Sequence, residues 1–413
     1  MKTSIISSFI VAAALCIAPY ADAAKIHPGE NSQEEIQEAL ILAEDGDIIE
    51  LASGTFVIKS TLSLDVDNVT LRGAGIKKTI LSFATQDAGS EGISVTSNGV
   101  TLRDFAVEDA VGDAIKTKGC KGISFINVRT EWTGGPKSTN GAYGLYPVSS
   151  EDVLIDGCVA IGASDAGIYV GQSRNIIVRN SVAQYNVAGI EIENCYNADV
   201  YNNLASHNAG GMLVFDLPNL PQQGGHGVRF FNNRSIDNDT KNFAPIGNIV
   251  GDTPTGTGLM IMGNRDVEVF NNEFSGNGTT NILVCSYAGK RNEGNSFDKN
   301  YLPNPERIHI HHNEMGRSGY KPMGKYGVIM MQAAGSDTLT DVVWDGVVKE
   351  GSTFADAKIS IHDNGNMSFI NLDFGTFVQS PGSSKPSTDL APYGTPLPSL
   401  PGITIAGDHA LTD

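Results

Sequence analysis

Basic residues are scarce in this chain of 413 residues. Lys and Arg together number 28, against 46 Asp and Glu, which gives a net charge of -18. A surface of this charge repels nucleic acid and anionic membranes, so we expect neither as a partner. A polyanionic glycan is not excluded, because a local basic patch can lie on an acidic protein.

Long apolar runs are also rare. After the first 23 residues no run approaches the roughly 18 residues that a membrane-spanning helix needs, so we expect no membrane insertion of the mature chain. The one long run, 5–18, follows Lys2 and precedes the small residues of "ADAA", which is typical of an export signal. We predict a signal peptide over 1–23, with cleavage before Ala24, and a soluble periplasmic or secreted protein.

A short motif, Gly-apolar-x-apolar, recurs along the chain. Copies at 167, 189 and 211 are 22 residues apart, and further copies include "GISVTS" at 92, "GLMIMG" at 258 and "GVIMMQ" at 327. Most copies are followed by a second alternating segment that ends in a turn residue, such as "IIVRN" at 176 and "VEVFN" at 267. Alternation predicts strands, and the fixed period predicts a solenoid.

The segment "SQEEIQEALILAED", 32–45, fits an amphipathic helix instead. Ser32 and Glu35 have the spacing of a capping box, and Ile36, Leu40 and Ala43 share one face. Such a helix could cover the open first turn of a solenoid, which would otherwise invite strand pairing with another chain.

The entry segments "IQEALILAEDGDIIELASGTFVI" and "LSLDVDNVTLRGAGIKKTIL", followed by GI-x-V and N-x-x-V-x-x-N turns, resemble a known group. This group is the right-handed parallel β-helix proteins of the pectate-lyase-like superfamily, with carbohydrate-binding and sugar-hydrolase type repeats. "LVFDLPNLPQQGG" and "NFAPIGNIV" resemble exported bacterial members. The resemblance spans 30–375 and implies an all-β, single-stranded right-handed parallel β-helix.

Members of this superfamily include pectate lyases, polygalacturonases, alginate epimerases and proteins without known catalysis. The Asp-Pro-His motif of alginate epimerases is missing here, since Asp216-Leu217-Pro218 has no histidine. That departure argues against an epimerase. From the extent of the resemblance we predict a β-helix domain over 24–379 with an irregular insertion at 217–257, and a Pro-rich C-terminal tail over 380–413.

The strand pattern also places side chains. In the strand that begins each Gly-apolar-x-apolar copy, the residue after Gly and the one two further on point inward. The other residues point outward and form columns along the solenoid, in which successive turns, or rungs, are about 4.8 Å apart. One outward zone, from Lys116 to Glu193, is polar, and the next, from Leu213 to Met331, is apolar. Exposed apolar patches of that size are rarely left bare, so the insertion or the tail should cover the second zone. An insertion placed there would form a wall beside the polar zone, with Asp216, His226 and Lys241 bordering a cleft.

Glu191 and Glu193 are the first catalytic candidates. Residues two apart on a strand have Cα atoms about 6.6 Å apart. Carboxyl groups at about 6.5–9.5 Å suit inverting glycoside hydrolysis. The same pair with Asp216 could instead supply oxygen ligands to Ca²⁺. A third interpretation is a solvated strand face with no chemical role.

Lys116, Lys118, Tyr146 and Tyr169 suggest another chemistry. Elimination or epimerisation of a uronate needs a cation to neutralise its carboxylate and a group that transfers protons, a role open to tyrosine. Tyrosines also serve as platforms for sugar rings, because their faces are apolar and their hydroxyl groups form hydrogen bonds.

Asparagines and cysteines are expected to serve the scaffold. Asparagines occupy one turn position on successive rungs and are predicted to form a hydrogen-bonded ladder: Asn127, Asn180, Asn202, Asn232 and Asn271, with Asp104 at the equivalent place. Cys120 and Cys195 are equivalent but three rungs apart, roughly 14 Å, too far for a disulfide. We predict that the four mature cysteines are unpaired.

"RIHIHHN", 307–313, is the densest histidine cluster. His309 and His311 alternate outward near Glu268 and could bind a metal, but the pattern shows no convincing third ligand, so no metal residue is assigned. Some proteins of the resembling group serve copper-enzyme maturation, which keeps metal handling as a third hypothesis.

The leading prediction is an exported protein that binds an acidic polysaccharide, and that cleaves or epimerises it if it is an enzyme. Glu191, Glu193, Tyr169, Lys116 and Asp216 are the predicted catalytic residues. The predicted substrate-binding residues are Lys118, Tyr146, His226 and Lys241. The alternative is a non-catalytic scaffold of the cell envelope that presents its apolar zone to a partner protein.

Overall fold

The computed structural model describes residues 25–287 and 301–405. The predicted signal peptide lies outside these residues. The helices are α1 (Ser32–Leu42), α2 (Gly324–Ala334) and α3 (Phe374–Gln379), with 3-10 turns at Ile249–Asp252, Phe354–Ala357, Pro381–Ser383 and Ala391–Tyr393. No helix in the described part of the chain is both long and apolar enough to span a membrane.

The strands of the first half are short and closely spaced. They are β1 (Ile48–Glu50), β2 (Gly54–Val57), β3 (Leu62–Leu64), β4 (Thr70–Arg72), β5 (Thr79–Ser82), β6 (Ile93–Val95), β7 (Thr101–Glu108), β8 (Ile115–Lys118), β9 (Lys121–Glu131), β10 (Tyr143–Val148), β11 (Glu151–Asp156), β12 (Val159–Ile161), β13 (Ala166–Gly171), β14 (Arg174–Arg179) and β15 (Val182–Gln184).

The second half continues the same pattern. Its strands are β16 (Ala188–Glu193), β17 (Tyr196–Tyr201), β18 (Leu204–Ser206), β19 (Gly210–Phe215), β20 (His226–Phe231), β21 (Arg234–Ile236), β22 (Thr257–Met262), β23 (Arg265–Phe270), β24 (Glu273–Ser275), β25 (Thr280–Cys285), β26 (Glu306–His311), β27 (Glu314–Met315), β28 (Val342–Trp344), β29 (Ile359–His362) and β30 (Phe369–Asn371).

These strands stack as a parallel solenoid with three faces. The first sheet has eleven strands in the order β3-β6-β8-β10-β13-β16-β19-β22-β25-β28-β30. The second face is formed by β11, β14, β17, β20, β23, β26 and β29, and the third by β12, β15, β18, β21, β24 and β27, each paired with the next. Ala166 pairs with Ala188 and Ile168 with Ile190, so one coil takes 22 residues. The predicted parallel β-helix is confirmed.

The interior of the stack is apolar. Inward residues of consecutive first strands, such as Ile168, Val170, Ile190 and Ile192, are fully buried. Helix α1 closes the first coil by burying Ile36 and Leu40, as predicted.

The predicted capping box of α1 was wrong. Asn31 is the N-cap residue, no side chain caps the helix, and the Ser32 hydroxyl donates to the carbonyl of Gly29. At the other end of the solenoid, Tyr393 packs against Trp344 and Phe369.

The asparagine ladder lies one residue later than predicted. The predicted positions, including Asn202, Asn232 and Asn271, have a left-handed backbone with φ of 49–61°, which Asn and Asp tolerate. In each "NN" pair the second residue points inward, and its side-chain oxygen accepts the backbone N–H of the previous rung. This ladder runs through Asn203, Asn233, Asn272, Asn313 and Asn364. A second ladder, which the sequence analysis missed, runs through Asn186, Asn208, Asn238, Asn277 and Asn281.

Two segments differ from the predicted rungs. "GVIMMQ" at 327 lies in helix α2, and the next first-sheet strand is β28. The run "MMQAA", 330–334, consists of good helix formers, which favour a helix here. The segment predicted as one insertion, 217–257, is two loops, 216–225 and 237–256, separated by the regular strands β20 and β21. Cys120, Cys158, Cys195 and Cys285 are free thiols.

Candidate functional site: an acidic cleft under two loops

The outward apolar column of the first sheet is covered by the chain itself. Leu213, Phe215, Met260 and Met262 are buried although they face away from the solenoid interior. The covering residues are Leu217 and Val250 from the two loops, and Met330 and Ala333 from helix α2. The prediction that the insertion covers this zone is confirmed. In the described part of the tail, 380–405, no residue belongs to this apolar cluster.

Where the loops meet the polar zone they leave a cleft of about 430 Å³. Three acidic side chains, Asp165, Glu191 and Glu193, form part of its lining. The remaining lining residues are Ala142, Tyr143, Phe215, Leu217, Pro218, Leu220, Gly247, Asn248, Ile249, Val250 and Tyr287. The cleft therefore has an acidic floor and an apolar wall.

Glu191 and Glu193 lie on β16 and point outward, as their alternation predicts. They are not a solvated face, because the loops bury them and leave Glu191 only 3% exposed. A side-chain hydrogen bond joins their two carboxyl groups. The pair therefore does not have the separation of about 6.5–9.5 Å predicted for inverting hydrolysis.

Burial decides the charge of this pair. It raises the pKa of Glu191 well above its usual range, and the carboxylates of Asp165 and Glu193 raise it further. Burial also raises the pKa of Glu193, but hydrogen bonds from Tyr169 and Glu191 oppose that shift. Glu191 thus holds the proton and donates it to Glu193. The second oxygen of Glu191, Oε2, is buried without a hydrogen-bond partner.

Tyrosines surround the carboxyl groups. The Tyr169 hydroxyl donates to Glu193 Oε1 at 2.7 Å, reaching one rung along the solenoid. Gly171 makes this possible, because a Cβ there would overlap the Tyr169 ring. The rings of Tyr143, Tyr146 and Tyr169 form a cluster with centroids 4.4–5.0 Å apart.

Asp165 completes the acidic floor, and the sequence analysis missed it. It lies just before β13 and accepts a hydrogen bond from the Tyr143 hydroxyl at 3.3 Å. Burial and, to a smaller extent, Glu193 raise the pKa of Asp165 to about 7. A sequence signal for this residue did exist. Asp165 lies two residues before the repeated Gly, at a position where the next two rungs have the apolar residues Val187 and Ala209.

Lys116 lies at the edge of this zone. Its ammonium pairs with Glu91 at 3.4 Å and Asp113 at 3.7 Å, and it lies over the Tyr146 ring. Burial raises the pKa of Asp113 to about 6, although Lys116 opposes that shift. Burial also raises the pKa of Tyr146 to about 12, so this tyrosine keeps its proton.

The other predicted residues are dispersed. Asp216 is buried and accepts the backbone N–H groups of Gly224 and Gly225, which is a turn-forming role. His226 packs on Tyr196 on the second face. Lys118 and Lys241 are exposed and are not among the residues that line the cleft. In the described residues, Glu191, Glu193 and Asp216 do not form a group of three potential metal ligands.

Comparison with known proteins supports the fold. Residues 56–220 match a family described as the right handed beta helix region. The A-module of mannuronan C-5 epimerase AlgE4 from Azotobacter vinelandii is 14% identical, covers 81% of this chain and 90% of its own, and has a TM-score of 0.53.

Two further solved structures are similar at lower scores. The AlgE6 A-module of the same organism is 16% identical over 76% of this chain and 84% of its own, with a TM-score of 0.45. The catalytic unit of a GH87 α-1,3-glucanase from Streptomyces thermodiastaticus is 17% identical over 83% of this chain, which spans 53% of that unit, with a TM-score of 0.48. No curated protein sequence matches the chain. The chain is thus a right-handed parallel β-helix.

Proposed function

We propose that the acidic cleft binds a polysaccharide and transfers protons to and from it. The observation that carries this proposal is the charge arrangement of the floor. Glu191 and Asp165 have raised pKa values, and Glu193 is held by two hydrogen-bond donors. Groups whose pKa values are pushed apart in this way are suited to act as acid and base near neutral pH.

Hydrolysis of a glycosidic bond is the reaction that this floor supports best. Asp165, with a pKa of about 7, donates its proton to the leaving oxygen. Glu193 accepts a proton from the attacking water. Glu191 is a positioning residue, because its proton holds the Glu193 carboxylate in place. The tyrosine cluster and the apolar wall provide flat surfaces for sugar rings.

The charge of the floor favours a neutral glycan. Of the basic residues predicted to neutralise a uronate, Lys116 is already paired with two carboxylates, and Lys118 and Lys241 are exposed away from the cleft lining. Among the described residues that line the cleft, a uronate would therefore meet carboxyl groups without a free cation. The acidic polysaccharide predicted from the sequence remains the second candidate, with Lys116 as its partner.

Known structures with this fold are consistent with a polysaccharide substrate. The AlgE4 module, which covers most of this chain, acts on mannuronan, as its name states. In contrast, the scaffold alternative has lost its motivating observation. The apolar zone that was to bind a partner protein is covered by the loops and helix α2.

The test is to incubate the mature chain with α-1,3-glucan and other neutral glycans, and separately with mannuronan and pectate. Release of reducing ends and absorbance of an unsaturated uronate are measured together. Reducing ends from a neutral glycan, lost in Glu193→Gln, would support the proposal. Unsaturated uronate would instead favour elimination of an acidic glycan. If the mature chain neither binds nor changes any glycan of the panel, the proposal is wrong.

We also propose that the protein acts outside the cytoplasm, because residues 1–23 have the pattern of an export signal. Cell fractionation and the mass of the mature N-terminus test this. A protein that keeps Met1 and stays with the cytoplasmic fraction would contradict it.

A further inference from the structure

A second group of ionisable side chains lies on the outer side of the second face, away from the cleft. Glu268 is on β23, and His309 and His311 are on the next strand, β26, with Glu268 directly beside His309. Glu268 Oε1 lies 3.2 Å from His311 Nε2 and 3.8 Å from His309 Nδ1. One ligand atom from each of the three residues fits within 4.8 Å of the others.

The hydrogen bonds around His309 fix where its proton lies. His362 Nδ1 is 2.8 Å from the Asp363 carboxylate, so that nitrogen carries the proton and His362 Nε2 has the lone pair. His309 Nε2 is 2.8 Å from that lone pair, so it must donate its own proton. The lone pair of His309 Nδ1 is then directed toward Glu268, and Nδ1 is buried without a hydrogen-bond partner.

His311 has an equivalent arrangement. Its Nδ1 is 2.8 Å from His312 Nδ1, which can accept a proton because His312 is exposed and free to carry its own proton on the other ring nitrogen. With the proton of His311 on Nδ1, the lone pair of Nε2 also faces Glu268. Two imidazole lone pairs and one carboxylate then converge with no donor between them.

We propose that Glu268, His309 and His311 bind a divalent transition-metal ion, with Zn²⁺ as the representative. Two neutral imidazoles and a carboxylate are ligands that such ions prefer, and they leave a position for water. The ion would accept the lone pair of the buried His309 Nδ1, which has no hydrogen-bond partner.

The surroundings match those of a built metal site. Metal-binding histidines usually donate their second N–H to a carbonyl, carboxylate or other acceptor, which fixes the ring. Here His362 and His312 are the acceptors, and Asp363 in turn fixes His362.

The C-terminal tail closes the site. The Leu400 N–H donates to the other carboxylate oxygen of Glu268, Oε2, at 2.9 Å. On the side of the preceding coils, His311 stacks on Phe270, with ring planes 2° apart. The ion would therefore lie between the sheet and the tail.

The test uses the mature chain without a histidine tag, treated with a chelator and then titrated with Zn²⁺ against a chromophoric competitor. We expect one Zn²⁺ per chain, and a visible d–d spectrum of low-symmetry coordination with Co²⁺. His309→Gln and His311→Gln should weaken binding by about 100-fold or more, and His362→Asn by about 10-fold. His207→Gln is the control, because His207 pairs with Asp239 but has no second imidazole ligand.

Glu268→Gln keeps the shape of the side chain and an acceptor for Leu400, so it should fold and still lose affinity for Zn²⁺. Circular dichroism shows whether each variant is folded. Failure of the mature chain to bind Zn²⁺ at micromolar concentration would overturn the proposal. So would equal affinity in the wild type, His309→Gln and Glu268→Gln. No glycan enters this experiment, so its result is independent of the proposed hydrolysis.

Discussion

The acidic cleft on the first sheet and the histidine group on the second face use the same construction in different ways. Both consist of outward side chains on consecutive rungs, and in both a segment outside the rungs covers them. Over the first sheet the cover is two loops that stand off the carboxyl groups and leave about 430 Å³. Over the second face the cover is a single extended tail bonded directly to Glu268.

The difference shows that the covering segment sets what each face can bind. A space of hundreds of cubic ångströms admits part of an oligosaccharide, whereas a carboxylate and two imidazoles under the tail admit one ion. Burial raises the pKa values of the three carboxyl groups under the loops. Glu268 Oε2 accepts the Leu400 N–H, and Glu268 Oε1 faces the ring nitrogens of the two β26 histidines.

The largest expected effect is a loss of catalytic activity when the acidic cleft, and no other part of the solenoid, is changed. Glu193→Gln removes the carboxylate that accepts the Tyr169 and Glu191 protons, so the rate of glycan hydrolysis should fall by about 10²–10⁴-fold. The matched change Glu314→Gln, at an exposed position of β27, should leave the rate unchanged. Steady-state kinetics measure both rates, on the glycan from which the reducing-end assay detects release. Equal rates in wild type and Glu193→Gln would remove Glu193 from the mechanism.

Shortening the tail tests how strongly the second face is covered. A chain that ends after Ser399 lacks Ile405, which is buried against Leu154 and Ile177, and lacks the Leu400 bond to Glu268. Loss of one buried isoleucine alone should lower the free energy of unfolding by about 2 kcal/mol. Denaturant unfolding measures it, with a chain that ends after Ile405 as control. If the shortened chain is as stable as this control, residues 400–405 of the tail do not stabilise the second face.

Asp165→Asn tests the charge of the cleft floor. Because burial raises the pKa of Asp165 from 3.8 to about 7, the protonated form stabilises the fold below pH 3.8, and this contribution is lost as the pH rises to 7. The amide cannot ionise, so the variant should gain stability relative to wild type across that range. One pKa unit corresponds to about 1.4 kcal/mol, so a gain of at least that size is expected at pH 8. A constant difference between pH 4 and 8 would mean that Asp165 is not the titrating group.

The smallest effect is expected at Lys116. Its two ion pairs are partly exposed, and such pairs contribute about 0–1 kcal/mol. Lys116→Met should therefore change stability little and should leave binding of a neutral glycan within about threefold of wild type. Equilibrium binding to neutral and acidic glycans gives the answer. A large loss confined to the acidic glycan would restore the uronate hypothesis.

Side-chain direction was predictable from the sequence, whereas exposure was not. Alternation on β16 was enough to place Glu191 and Glu193 outward, and a run of outward apolar residues was enough to predict a cover. Glu191 is buried because covering residues such as Val250 close the same cleft from a position nearly 60 residues later in the chain, and no local pattern records that proximity.

The histidine group shows the same limit. The segment "RIHIHH" was visible, but His362 is 53 residues beyond His309 and reaches it only because β29 stacks on β26. Leu400 joins from 132 residues beyond Glu268. The ladder was misplaced for a local reason, since in "NN" both residues are suited to a turn and only the backbone shows which one points inward.

The two asparagine ladders restrict how such a chain can change in length. Each inner asparagine accepts the backbone N–H of the preceding coil and passes its own N–H to the following one. A deletion of a few residues within a coil would break this relay on both sides, whereas loss of one whole coil would let the neighbouring asparagines meet again. Length variation in this solenoid is therefore expected in steps of a complete coil, with shorter insertions confined to the outer loops that form the cleft.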